Sequence, residues 1–65
     1  MTINHEYLKA MSREELLDAL THRRRMRRVY ERAGASERAW ADHHAEVIAA
    51  IEREFARRAR EGVAP

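Results

Sequence analysis

The amino-acid sequence predicts an all-α protein: an antiparallel helical hairpin with a short N-terminal helix, two copies of which pair as a homodimeric four-helix bundle. Three observations carry this expectation. Only two glycines and one proline interrupt 65 residues that are 45% hydrophobic and 37% charged, a composition that fits a helix-rich globular chain and not a disordered one. Ser12, Glu15 and the pair Leu16–Leu17 form the pattern of a capping box opening an apolar helix. Finally, the two long helical stretches are separated by so few residues that they must run antiparallel.

The first element, a short helix over about 4–11, has Thr2 or Asn4 as its cap and sets Tyr7, Leu8 and Met11 to fold over the open end of the hairpin. The second runs from about 13 to 33. Its stop is Gly34, which tolerates the positive φ of a C-terminal cap. Ser36 caps the third, over about 37–60, with Glu37 in its first turn and Arg57, Arg58 and Arg60 near its end, the charge order favoured by the helix dipole. Gly62 and Pro65 close it. At 1.5 Å per residue the long helices measure roughly 30 and 36 Å. All of residues 1–65 belong to a single domain with a thin core, because a chain this short buries a modest share of its surface.

Along the third element Trp40, Val47, Ile48, Ile51 and Phe55 recur at helical spacing, with His44 on the same side. The second element is less simple. Leu16, Leu17 and Leu20 point one way, whereas Met26, Val29, Tyr30 and Ala33 centre well over 90° round the helix. Either the helix follows a seven-residue period, with Leu16, Arg23 and Tyr30 in one row and Ala19, Met26 and Ala33 in another, or its two halves bury against different partners. The second case implies a dimer. About fifteen large apolar side chains must also be hidden, and a lone hairpin offers one seam, so pairing is favoured over a monomeric three-helix bundle. The face available for a second copy or another partner comprises Leu16, Leu17, Leu20, Met26 and Tyr30 with Trp40, Val47, Ile48, Ile51 and Phe55.

Charge is distributed unevenly. The overall net charge is +2. Residues 1–20 set Lys9 and Arg13 against Glu6, Glu14, Glu15 and Asp18, a net of −2, while residues 21–33 set six arginines against Glu31, a net of +5. Arginine forks match phosphate oxygens, and a dense cationic stretch releases counterions when it meets nucleic acid. Arg24, Arg25, Arg28 and Arg32 are therefore the candidate site for nucleic acid or an acidic protein. Arg24 and Arg28 are expected to face directly away from the core, and Arg23 and Arg27 to pair with Asp42 and Glu46 across the hairpin. No aromatic interrupts the run, so base-specific readout is not expected.

Other chemistry has little support. There is no cysteine for a disulfide, a thiolate metal site or a nucleophile, and no glycine-rich phosphate loop. Asp42, His43, His44 and Glu46 hold metal-ligand types at poor spacing, since adjacent histidines point about 100° apart on a helix. Ser12 and Ser36 read as caps, and no catalytic residue, cofactor or metal is expected. No apolar run approaches the roughly 20 residues of a membrane span, and the first ten residues lack the continuous apolar stretch of a secretory signal, which predicts a cytoplasmic protein. The alanine- and arginine-rich composition suits a small bacterial or phage protein from a GC-rich genome. The expected function is a small non-enzymatic interaction or regulatory module acting as a homodimer. Its alternatives are a non-sequence-specific nucleic-acid binder using 23–28 and a structural accessory subunit of a larger assembly.

Overall fold

A computed structural model describes residues 5–62 and shows three α-helices: α1 (His5–Ala10), α2 (Arg13–Arg32) and α3 (Arg38–Arg60), with a 3₁₀ turn at Ala35–Glu37 between the last two. The caps expected at Thr2 or Asn4, and the stop at Pro65, lie outside the described residues. α2 begins as its sequence dictates. The Ser12 hydroxyl accepts from the Glu15 amide at 3.1 Å, and the Ser12 amide donates to the Glu15 carboxylate at 2.9 Å. These bonds satisfy two amides that the first helical turn leaves orphaned, and they hold the Glu15 pKa below its ordinary value. α2 ends at Ala33, whose amide reaches the Val29 and Tyr30 carbonyls, and Gly34 follows at φ +109°, a conformation that a Cβ would strain.

The start of α3 departs from the sequence expectation. Ser36 does not cap it; the chain enters through the 3₁₀ turn, Glu37 occupies the cap position without a side-chain bond, and the Glu37 amide instead donates to the Gly34 carbonyl at 3.1 Å. A tight i→i+3 turn satisfies orphan amides from the backbone and so removes the need for a serine oxygen.

α2 and α3 pack antiparallel. The core is formed by Leu8, Leu16, Leu20, Ile48, Ala50 and Ile51, with Met11, Ala19, Val47 and Phe55 half-buried around it. Leu16, at 0% exposure, and Ile51 are enclosed on all sides. The mismatch between the two halves of α2 resolves as a seven-residue period: Leu16, Arg23 and Tyr30 all turn toward α3, and Ala19 and Met26 are half-buried beside them. Leu17 and Val29 are exposed, and so is Ala33, where the second row departs from the expectation. The two apolar directions are thus largely met inside one chain.

α1 is too short to stand alone in water. It is held by Leu8, buried against the hairpin, and by Arg58, whose Nη2 donates to the carbonyls of Leu8, Lys9 and Met11 at 3.3, 3.4 and 2.6 Å. One guanidinium therefore satisfies the carbonyls that end a helix. Its Nε binds Glu54 at 2.7 Å, and Arg57 grips the same carboxylate at 2.7 and 3.0 Å while reaching Glu61 at 2.6 Å. Hydrogen bonds from Arg57, with those from Arg58, outweigh burial and push the Glu54 carboxyl down to about 2. Arg57 and Arg58 do more than complement the helix dipole. Of the three residues expected to close the open end, Leu8 and Met11 do so, whereas Tyr7 is 67% exposed.

The hairpin is elongated, measuring 41 × 20 × 16 Å with a radius of gyration of 12.9 Å. A compact domain of this length would have about 11 Å. The excess comes from two long helices laid side by side, which leaves the outer face of α2, and that of α3 beyond the stretch covered by α1, to solvent.

Candidate functional site

The outer face of α2 carries the strongest concentration of unsatisfied chemistry. Arg24, Arg25, Arg28 and Arg32 line one shallow groove of about 500 Å³, together with Thr21 and Val29. Spacings of three, four and seven residues bring these side chains to one side of the helix. The four arginines named from the sequence are thus brought together by the fold.

Their partners differ from expectation. Arg24 does not point directly away from α3; it reaches across the edge of the seam to Glu52 at 3.4 Å. A buried face centred on Met26, Val29, Tyr30 and Ala33 would turn Arg24 outward, but Val29 and Ala33 are exposed, so the buried face is rotated toward Arg24. Arg23 turns inward to His44, and Arg27 pairs with Glu31 along its own helix at 2.7 Å, so neither takes Asp42 or Glu46. Among the described residues no carboxylate lies within ion-pair distance of Arg25, Arg28 or Arg32. The Arg24–Glu52 pair is long and half-exposed, worth about 0–1 kcal/mol, so Arg24 can exchange Glu52 for another anion at little cost.

Asp42 and Glu46 line a separate cleft with Ala39, Trp40 and His43. Trp40, at the head of the apolar stripe of α3, is 52% exposed, with one face supported by Tyr30 at a ring separation of 6.3 Å. Among the described residues no three His, Asp or Glu side chains converge as a metal site would require.

His44 occupies a polar break in the seam. It is 7% exposed, its Nδ1 lies 3.1 Å from Arg23 Nη1, and its ring stacks on Tyr30 at 5.5 Å. Arg23 can only donate, so Nδ1 accepts and the ring is neutral with its proton on Nε2. Burial, then the charges of Arg23, His43 and His22, lower the His44 pKa below 6.5. As pH falls through about 6.5 the unfolded chain therefore binds a proton that the folded chain refuses. Stability contributed by neutral His44 is present above that value and declines below it. The urea midpoint should fall between pH 7.5 and 5.5, and His44→Gln, which keeps an acceptor for Arg23 but does not titrate, should flatten that slope. Equal slopes for the two proteins would remove His44 as the cause.

Sequence reasoning missed the Arg23–His44 contact and the Glu54–Arg58–α1 network. The latter left a local trace, Glu54 three and four residues before Arg57 and Arg58. Its contact with α1 left none. Among the described residues no helix is long and apolar enough to cross a membrane. Set beside known proteins, the chain matches no family profile, no curated protein and no solved structure.

Proposed function

We propose that the protein is a non-enzymatic binding module that holds the phosphate backbone of nucleic acid along the outer face of α2. One observation carries this reading: Arg25, Arg28 and Arg32 share a groove with Arg24 and have no carboxylate partner among the described residues. Arginines stepped along a rigid helix present forked donors to successive phosphates without ordering a loop first. The groove holds no aromatic ring to stack on a base, so binding is indifferent to sequence.

Neutralising three phosphates predicts a slope of log K against log salt of about −3 on duplex DNA, hence weak binding that salt abolishes. Arg25→Glu with Arg28→Glu should abolish binding at low salt while leaving helicity unchanged. Absence of binding to generic duplex DNA or RNA at low salt, or binding unaffected by that double reversal, would remove the reading. Retention on poly-glutamate but not on nucleic acid would assign the groove to an acidic protein.

A second reading, the homodimer, is favoured by a different observation. Leu17 and Val29 remain exposed on either flank of the outer face of α2, on a hairpin longer than its size requires. In that reading the protein is an interaction module of four helices, two from each copy.

A further inference from the structure

The outer face of α2 is not uniformly basic, and the order of its charges suggests a partner. The face begins with Glu14 and Asp18 and continues through Thr21 to Arg25, Arg28 and Arg32, all exposed. Glu14 and Arg32 are about five whole turns apart and so lie on one line along the helix, about 27 Å from end to end. Asp18 and Arg25 sit on the same flank of that line, within about 40° of it at 100° per residue. Like Arg25, Arg28 and Arg32, Glu14 and Asp18 have no ion partner among the described residues. The helix dipole acts over the first and last turns, so it accounts for Glu14 and Arg32 but not for Asp18, Arg25 or Arg28.

We infer that this face is complementary to itself, and that two copies of the chain pair through it with their α2 helices antiparallel about a two-fold axis near residue 23. Reversing one helix against the other brings its acidic half to the basic half of its mate. Glu14 of each copy comes level with Arg32 of the other, and Asp18 comes level with Arg28 and within one turn of Arg25 on its own flank. The two-fold operation makes every such contact twice, and the assembly closes as a dimer because the same patch serves both copies. Leu17 and Val29, exposed on the two flanks, are shielded at its edges together with the arginine stems. The area of one helix face lies at the low end for specific interfaces, so association is weak and salt-sensitive.

This pairing uses the arginines of the polyanion groove, and the two occupants exclude one another. Self-association therefore covers the groove, and a polyanion opens the dimer. The inference does not depend on the nucleic-acid reading, since complementarity to a second copy stands whether or not phosphate binds.

Reciprocal charge reversal tests it. Arg25→Glu with Arg28→Glu and Arg32→Glu makes the face acidic throughout, and Glu14→Arg with Asp18→Arg makes it basic throughout. Light scattering at high micromolar concentration in low salt should find the native protein dimeric. Each variant alone, checked for native helicity, should self-associate about tenfold more weakly or worse. An equimolar mixture should recover the dimer mass, because acidic and basic faces again oppose. A monomeric native protein, variants that dimerise as the native chain does, or a mixture that fails to recover would each overturn the inference. The basic variant keeps all four groove arginines. It should bind duplex DNA at least as tightly as the native chain while losing self-association, so the two readings fail independently.

Discussion

Arg58→Ala is expected to lower the folding stability by about 3 kcal/mol, a large part of the roughly 3–10 kcal/mol that a chain of this length can have. The side chain has two jobs, the first shared with Arg57 and the second with no neighbour. It neutralises Glu54, which is buried on α3 and keeps only the partly exposed Arg57 once Arg58 is gone. It also donates to three carbonyls at the end of α1, a helix of six residues with little else to hold it. Removing Arg58 takes one of two cations from a buried carboxylate and leaves the α1 carbonyls without their donor, and groups left short of partners in this way cost more than the contacts themselves contribute. Arg58→Lys should fall between, since an ammonium keeps the charge but cannot span the carboxylate and the carbonyls as a planar fork does. Urea unfolding followed by far-ultraviolet circular dichroism reads both. An Arg58→Ala midpoint equal to the native one would show that the network carries no stability.

The two jobs can be separated. Replacing Glu54 with Leu and Arg58 with Met removes both buried charges at once, a change that is often neutral or stabilising where packing is kept. On α3 the cost should therefore be small, while α1 loses its donors and frays; amide exchange should accelerate over 5–11 and stay slow around Ile48 and Ile51. The acid limb has a definite sign. Because Glu54 is held at about 2, against an ordinary value of 4.5, its contribution is present above 4.5 and lost as pH falls toward 2. It opposes the His44 effect in neither direction: both weaken the fold in acid, over successive ranges.

How far the fold is legible in the sequence follows from how local each cause is. Ser12 and Glu15 are three residues apart and answer to the same helical turn, so their capping box can be read without knowing anything else. The same holds for Gly34 and for the hairpin forced by a short link. Ser36 obeys the same local rule and still misleads, because a 3₁₀ turn offers the amides a competing solution. The heptad rows of α2 were readable only as one of two options. Choosing between them requires knowing that an arginine in the seam has a neutral histidine waiting on α3, and that is a property of a pair 21 residues apart. Candidate arginines were identifiable because exposure and charge density are visible in one helix. Which of them stay unpaired depends on Glu52 and Glu31, whose reach is set by the register of α2 on α3 and by rotamer, not by composition.

The register of that seam makes its sharpest statement at two adjacent leucines. Leu16→Ala should cost about 3–5 kcal/mol and Leu17→Ala less than about 1 kcal/mol, although the substitutions are chemically identical. Leu16 is 0% exposed and packs in the core with Leu8, Leu20 and Ile51, so its loss leaves a cavity that two long helices cannot close without shifting along their whole length. Leu17, at 37% exposure, lies about 100° further round, on the flank of the arginine face. Thermal or urea unfolding of the two single variants measures the difference, and equal costs would mean that α2 is rotated from the orientation described. Leu17 has a second consequence that Leu16 lacks. If two copies pair through α2, Leu17→Ala should leave the monomer nearly as stable as before and weaken self-association. Leu16→Ala should lower stability and affect pairing only through the population that remains folded.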